Sequence, residues 1–194
     1  MKIAYIIFNG MTWLDFIGLY DPISRLKSLG YIPCLTWDIC SYTKTVSDNF
    51  GLEIKPDKIQ NSLTGYDVVI IPGGLGTRKL QFDHEFINWI KTSVNATYKI
   101  SICTGSLILG AAGFLKDKKA TTNYQEYEAL KPYCKEVKEN RIVEDNNVIT
   151  SGAVSASIDT GLYLCEKWAG EIARDDIRKR IDYFGYFFAF ECSS

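Results

Sequence analysis

The chain alternates between short, continuous hydrophobic runs and longer segments in which hydrophobic residues recur with helical spacing. Continuous runs are typical of strands that are covered on both faces, as in a parallel sheet. They predict buried strands, the last of which leads directly into a cysteine. These strands are expected at residues 3–8, 31–39, 66–71 and 99–102.

Segments with helical spacing lie between these runs and predict the connecting helices. Thr12 and Ser155 are of residue types that cap helix N-termini, and both precede such segments. Helices are expected at residues 14–29, 83–96, 105–113, 124–130 and 155–183. Short edge strands around a turn are expected within residues 43–59, and a β-hairpin is expected over residues 136–144 and 148–151.

Alternating strands and helices predict an α/β fold, with a mostly parallel sheet that carries helices on both faces. Ligands of such sheets bind beyond the carboxyl ends of the strands. Candidate features follow the predicted strand ends at residues 9–15, at residues 72–76 and at Cys103-Thr104. The topology is expected to bring these segments together.

Composition and charge narrow the class of partner. The 194 residues carry a net charge of -1, so there is no basic excess for nucleic acid. No apolar run approaches the roughly 20 residues of a membrane helix, so no membrane partner is expected. The six cysteines lack CxxC spacing and no secretory signal is evident, which indicates reduced thiols in a cytoplasmic protein.

Cys103 stands where a β-branched segment meets Thr104-Gly105-Ser106, which opens a helix. A thiol on a sharp turn before a helix N-terminus is exposed and activated, as in a nucleophile elbow. A cysteine that follows apolar residues can equally be an inert core thiol. Convergence of the strand ends favours Cys103 as the reactive cysteine of this chain.

The glycine-rich segment Pro72-Gly73-Gly74-Leu75-Gly76 follows another buried strand. Loops of this kind present backbone N–H groups to an anion or a developing oxyanion. The GxGxxG spacing of a dinucleotide fingerprint is absent.

The residues near Cys103 limit the chemistry. The single histidine, His84, begins a predicted surface helix, so neither a Cys–His dyad nor a metal site is expected. Asp15 and Thr104 remain. Asp15 has two interpretations: it compensates a helix dipole, or it is an acid whose pKa is raised in an apolar pocket beside a thiol. The second interpretation, with helix N–H groups stabilising the thiolate, suits addition of a thiol and then water to a small electrophilic carbon.

Several motifs occur in order from the first strand to about Tyr183. They are residues 8–18 (Phe-Asn-Gly-Met-Thr-Trp-Leu-Asp-Phe-Ile-Gly), Ile71-Pro72-Gly73-Gly74, Ile102-Cys103-Thr104-Gly105-Ser106, Ala111-Ala112-Gly113, Lys119-Ala120-Thr121-Thr122 and residues 152–159 (Gly-Ala-Val-Ser-Ala-Ser-Ile-Asp). These motifs resemble those of the ThiJ/PfpI superfamily. Asp15 and Thr104 make the chain most similar to the isonitrile hydratase branch.

The resemblance implies a flavodoxin-like fold of the class I glutamine-amidotransferase type over residues 1–184, followed by an aromatic tail at 185–194. It implies a homodimer without a cofactor that hydrates an isonitrile to an N-substituted formamide. In that reaction Cys103 would attack the isonitrile carbon, Asp15 would protonate the adduct and then activate water, and Thr104 would position a reactant.

The resemblance also assigns binding roles. The N–H groups of Thr104 and Gly74 would line the electrophile site. Residues expected to bind substrate or an oxyanion are Gly73, Gly74, Asn123, Val154 and Ser155.

This chain departs from the family pattern at two positions. Asn123 stands where relatives often carry histidine. The run Asp182-Tyr183-Phe184-Gly185 replaces the Glu-Tyr-Asp-Pro of the hydratase branch, which puts activity or substrate range in question.

Two other functions stay open. A non-catalytic cysteine redox sensor or small-ligand-binding protein would use the same elbow. A glyoxalase or deglycase activity is disfavoured because Asp15 replaces the usual glutamate and no histidine is expected near the thiol.

Overall fold

The fold was obtained as a computed structural model that describes residues 1–184. The predicted aromatic tail at residues 185–194, which includes Cys192, lies outside the described residues. The boundary between domain and tail therefore stays a prediction.

A single large sheet organises the chain. The strands are β1 (Lys2–Ile7), β2 (Thr36–Ser41), β3 (Val46–Ser47), β4 (Glu53–Ile54), β5 (Lys58–Ile59), β6 (Val68–Ile71), β7 (Tyr98–Ile102), β8 (Lys119–Ala120), β9 (Glu136–Val137), β10 (Ile142–Asp145) and β11 (Val148–Ser151). The main sheet has the order β10-β11-β7-β6-β1-β2-β5. Its strands run parallel except β10, which is antiparallel to β11. The residues of β6 are all buried, as a continuous apolar run predicts.

Helices cover the sheet on both faces, which confirms the predicted flavodoxin-like α/β fold. The helices are α1 (Trp13–Ser28), α2 (Thr77–Leu80), α3 (His84–Lys91), α4 (Gly105–Ala111), α5 (Tyr127–Leu130), α6 (Ala156–Ala169) and α7 (Glu171–Arg180). Helix α1 packs against α6 and α7, whereas α4 packs against α2, α5 and the strands β6 and β7.

The second strand begins later than predicted. Residues 31–35 form a turn in which the Ile32 N–H donates to the Leu26 carbonyl at 2.8 Å and the Leu35 N–H donates to the Ile32 carbonyl at 3.0 Å. Pro33 has no N–H to give to a strand ladder. Pairing with β1 therefore starts at Thr36.

The prediction of one unbroken helix over residues 155–183 is wrong. Gly170, with φ of 87°, ends α6, and α7 begins at the next residue. This backbone conformation is open to glycine at little cost. Ser155 and Thr12 do lie at the N-cap positions of α6 and α1, but neither side chain makes a capping hydrogen bond.

Other element boundaries also differ from the prediction. The predicted strand over residues 136–144 divides, because β9 pairs with β8 and β10 alone forms the hairpin with β11. The predicted helix over residues 83–96 is shorter and corresponds to α3. Edge strands within residues 43–59 are confirmed as the antiparallel pair β3 and β4, while β5 joins the main sheet.

The contact between α1 and α6 is unusually close at Gly18. A Cβ added there would lie 2.0 Å from Ser157 Oγ and 2.7 Å from Ser157 Cβ. Only a residue without a side chain allows this approach. The contact sets the start of α1, which carries Asp15, against the start of α6.

Replacing Gly18 with alanine is expected to destabilise the protein by roughly 1–3 kcal/mol, the usual cost of overpacking a well-packed core. Urea unfolding followed by circular dichroism measures the loss. The same substitution made on a Ser157→Gly background should cost clearly less, since the clashing side chain is then absent. Equal costs in both backgrounds would contradict the steric explanation.

Some further properties of residues 1–184 bear on function. The described cysteines (Cys34, Cys40, Cys103, Cys134 and Cys165) are all free thiols. Within this range no helix is long and apolar enough to cross a membrane. The same range contains no group of three or more His, Cys, Asp or Glu side chains that could hold a metal ion.

Candidate active site around Cys103

Cys103 lies at the sharp turn between β7 and α4, with φ of 52°. Positive φ is uncommon for residues other than glycine and requires support from the surroundings. The Cys103 N–H donates to the carbonyls of Ser151 and Gly152, both at 3.0 Å. Its carbonyl accepts from Ser106 Oγ at 3.2 Å and from Thr122 Oγ1 at 2.9 Å. The predicted strand–turn–helix elbow is confirmed, and four hydrogen bonds hold it.

The glycine-rich loop packs directly on this elbow. A Cβ at Gly73 would lie 2.6 Å from the Thr104 nitrogen and 2.8 Å from Cys103 Cβ. A Cβ at Gly105 would lie 2.3 Å from the Ile71 carbonyl oxygen. Glycine at both positions therefore lets the ends of β6 and β7 meet, as the topology predicts.

Asp15, in the first turn of α1, reaches the same place. Its side chain is fully buried, and Oδ2 accepts a hydrogen bond from the Gly73 N–H at 2.8 Å. Oδ1 is buried and has no hydrogen-bond partner among the described residues. Burial raises the pKa of Asp15 to about 7, although the Gly73 N–H opposes the shift. The predicted raised pKa is confirmed, and a surface role against the helix dipole does not explain this burial.

The Cys103 side chain is also buried, with 4% of the residue exposed. Burial raises the pKa of its thiol, and the charge of Asp15 raises it further. Asn123 Nδ2 donates to the sulfur at 3.5 Å, and the N–H groups of Thr104 and Val154 also donate to it. These donors favour the thiolate, but burial outweighs them. The sequence predicted an exposed, activated thiol on this turn. That prediction is wrong in its exposure, because only 4% of Cys103 is exposed, and burial raises rather than lowers the pKa of the thiol.

The Thr104 hydroxyl points toward the glycine-rich loop. It accepts from the Gly74 N–H at 3.0 Å and lies 2.9 Å from Thr77 Oγ1. Thr104 is buried, and its hydroxyl ties the elbow to the loop. In this structure the Gly74 N–H therefore donates to a group of the protein itself, and the Thr104 N–H lies at the sulfur. The roles expected for the Thr104 hydroxyl in positioning a reactant and for the Gly74 N–H in lining the electrophile site stay predictions.

Comparison with known protein families finds a match over most of the chain. The model of the DJ-1/PfpI family matches residues 1–167. The chain belongs to this family.

The relatives of this DJ-1/PfpI chain include enzymes and proteins of other roles. An isonitrile hydratase from Pseudomonas putida is 31% identical over 185 residues, which cover 94% of this chain and 78% of that protein. The crystal structure of a ThiJ/PfpI family protein from Pseudomonas syringae has a TM-score of 0.86 at 29% identity, covering 100% of this chain and 78% of that one. Drosophila melanogaster DJ-1beta, with a TM-score of 0.79, 20% identity and coverage of 93% and 96%, shares the fold.

Asn123 replaces the histidine expected from the family pattern, and its orientation follows from a second hydrogen bond. Asn123 Oδ1 accepts from the Gln125 N–H at 3.1 Å as the cap of a short 3₁₀ helix. The amide nitrogen is therefore the group that faces the Cys103 sulfur. An amide in this position donates a hydrogen bond but cannot take up a proton.

Replacing Asn123 with aspartate is expected to raise the pKa of the Cys103 thiol by about 1–2 units, because a donor becomes a negative charge. The aspartate still caps the Gln125 N–H, so the fold should persist. The pH dependence of Cys103 alkylation by iodoacetamide, read by peptide mass spectrometry, measures the shift. Gln125→Glu places a similar charge on an exposed position and serves as the control. An unchanged pKa in Asn123→Asp would show that the amide does not act on the sulfur.

Other residues named from the sequence lie in different places. Val154 is at the site through its N–H, but Ser155 is exposed and its Oγ accepts from Arg141 at 3.2 Å. His84 is exposed at the start of α3, as predicted.

Sequence reasoning missed the supporting hydrogen-bond donors Thr77 and Thr122. Thr122 falls in a motif that was singled out, whereas Thr77 gives no signal in the sequence.

Proposed function

We propose that this protein hydrates an isonitrile to an N-substituted formamide. The observation that carries the proposal is a buried thiol, Cys103, close enough to a buried acid, Asp15, for the charge of that acid to raise its pKa. The pKa of Asp15 is about 7, and its Oδ1 has no partner among the described residues. A carboxyl group with this pKa holds or releases a proton at neutral pH. The name of the 31% identical relative, isonitrile hydratase, supports the same chemistry.

The first step forms the carbon–sulfur bond. Cys103, as the thiolate, adds to the terminal carbon of the isonitrile, and the proton of the Asp15 carboxyl group goes to that same carbon. The product is a thioimidate, in which the carbon is bonded to sulfur and hydrogen and doubly bonded to nitrogen. Asp15 is left as the carboxylate.

The second step adds water and breaks the carbon–sulfur bond. The Asp15 carboxylate takes one proton from water while the hydroxide adds to the thioimidate carbon. The hydroxyl proton is transferred to the nitrogen as the carbonyl forms, and Cys103 leaves as the thiolate. The N-substituted formamide is released, and Asp15 carries a proton again.

The hydrogen-bond donors at the sulfur suit both steps. Asn123 and the N–H groups of Thr104 and Val154 surround Cys103. They stabilise the thiolate as the attacking group and again as the leaving group. No histidine is required, because Asp15 accounts for the protons that move at carbon and water.

The direct test is the formation of N-cyclohexylformamide from cyclohexyl isocyanide by the purified protein, followed by chromatography. Turnover that depends on both Cys103 and Asp15 is the expected result. Absence of turnover with a series of alkyl and aryl isonitriles would overturn the proposal.

The proposal includes the setting in which this reaction occurs. We place it in the cytoplasm, in a homodimer that acts on a small molecule without a cofactor. The free thiols of the described cysteines suit a reducing compartment. Leu14 and Ile17, exposed on α1, suit contact with a second copy. Light scattering of the purified protein tests the dimer.

A cysteine redox sensor is the second candidate. The observation that favours it is the set of N–H donors at the Cys103 sulfur, which would equally bind the oxygens of an oxidised cysteine. Reversible oxidation of Cys103 by dilute peroxide, in a protein that turns over no isonitrile, would favour this function over hydration.

A further inference from the structure

The turn at residues 152–155 contacts Cys103 through two backbone groups, one carbonyl and one N–H. The Gly152 carbonyl accepts from the Cys103 N–H at 3.0 Å, and the Val154 N–H donates to the Cys103 sulfur. The position of this turn therefore decides whether the sulfur keeps one of its donors.

Arg141, which immediately precedes β10, holds this turn on either side of Val154. Its carbonyl accepts from the Gly152 N–H at 2.9 Å. Its guanidinium donates to Ser155 Oγ at 3.2 Å. The backbone and side chain of Arg141 thus hold the residues on either side of the Val154 N–H, which faces the sulfur.

Asp159, in the first turn of α6, fixes the guanidinium of Arg141. It is buried, and its Oδ2 accepts from Arg141 Nε. Its Oδ1 accepts from the Tyr183 hydroxyl at 2.8 Å. Both carboxylate oxygens are therefore satisfied, and loss of either partner would leave a buried charge poorly compensated.

Tyr183 brings the far end of the described chain into the same cluster. Besides its bond to Asp159, its hydroxyl is hydrogen-bonded with Arg141. Arg141, Asp159 and Tyr183 come from three separate parts of the chain and contact one another next to the turn at residues 152–155. If Asp159 and Arg141 served only to stabilise the N-terminus of α6, Arg141 would not need to contact Gly152 and Ser155 as well.

We propose that Arg141, Asp159 and Tyr183 form a positioning cluster, which holds the Val154 N–H against the Cys103 sulfur. None of the three is placed at the reacting atoms, so they act through the turn. Their effect on turnover rests on the proposed hydration, but their effect on the thiol itself does not.

The test measures the thiol directly. The rate of Cys103 alkylation by iodoacetamide is followed against pH by peptide mass spectrometry in Tyr183→Phe and Arg141→Met. Loss of one hydrogen bond to the thiolate should move the alkylation midpoint upward by about 0.5–1 pH unit. Because Asp15 and Asn123 also face the sulfur, the series is repeated on the Asp15→Asn background, where the shift should persist.

The control is Arg174→Met. This substitution removes a guanidinium that pairs with Glu166 and Asp175 on α6 and α7, away from the turn. It should leave the midpoint unchanged. Tyr183→Phe removes only a hydroxyl, so the test holds even if Arg141→Met does not fold.

An unchanged midpoint in folded Tyr183→Phe would overturn the positioning cluster. Where isonitrile turnover is present, the same variant should lower kcat about 3- to 10-fold with little change in KM, as for an effect on the nucleophile rather than on binding. A shifted midpoint in a protein without turnover would support the cluster and contradict hydration, which separates the two proposals.

Discussion

Replacing Cys103 with alanine should abolish formamide formation, lowering kcat by about 10⁴-fold or more. The proposed reaction passes through a carbon–sulfur bond, and no other described cysteine lies at Asp15. The substitution keeps the backbone hydrogen bonds that support the elbow, because these involve only the N–H and carbonyl of residue 103. The measurement is the initial rate with cyclohexyl isocyanide, with circular dichroism as the check on folding.

The matched control is Cys34→Ala, which removes an exposed thiol far along the chain from the elbow. It should retain full activity. Turnover that survives in Cys103→Ala would remove covalent catalysis from the mechanism, even if the protein proved to be a hydratase.

Replacing Asp15 with asparagine should lower kcat by about 10²- to 10⁴-fold, the range for loss of a general acid or base. Asparagine can still accept the hydrogen bond from the Gly73 N–H, so the local structure should persist. The effect is expected on the proton transfers and not on the position of the loop.

The pH dependence of the Asp15 variant gives a second measurement. In the native protein Asp15 loses its proton near pH 7 and the Cys103 thiol at a higher pH, so the pair holds one proton between these values. Activity should rise with pH through about 7 and fall once both groups have lost their protons. In Asp15→Asn the rise of activity with pH near 7 should disappear. The pKa of the Cys103 thiol should fall, because the negative charge that raises this pKa is gone.

Asp15→Asn, which should lower the activity, should raise the free energy of unfolding at pH above 7. The pKa of Asp15 is raised on folding, so its contribution to stability is present at low pH and is lost as the pH rises through about 7. Asp15→Asn should therefore stabilise the protein at pH 8 by a few kcal/mol and much less at pH 4. Urea unfolding at the two pH values measures this. A variant that is less active and less stable at pH 8 would contradict the assignment of a buried, functional carboxylate.

Much of the fold follows from local pattern. Continuous apolar runs identified β1, β6 and β7, and the apolar approach to Cys103 followed by Thr104-Gly105-Ser106 identified the elbow. The predicted boundaries of helices and strands were wrong where the backbone preference of a single residue overrode the hydrophobic pattern. Gly170 breaks the last helix through its positive φ, and Pro33 delays the second strand.

The composition of the site was also predictable, but the direction of its polar groups was not. Asp15 and Cys103 were placed together because both follow parallel strands whose carboxyl ends share an edge. The Thr104 hydroxyl was assigned to a reactant, yet it binds the glycine-rich loop through the Gly74 N–H and Thr77. A side chain's partner depends on rotamer and on neighbours distant in sequence, which spacing does not encode.

Residue type and short-range periodicity were enough to predict the parallel α/β architecture, the cysteine elbow and the lack of a histidine beside it. The choice between the two interpretations of Asp15, and the raised pKa of the Cys103 thiol, required the folded structure. Burial raises the pKa of both Asp15 and Cys103, and burial is a property of the packed chain. The cluster of Arg141, Asp159 and Tyr183 likewise exists only after folding, since it joins residues from three distant parts of the sequence.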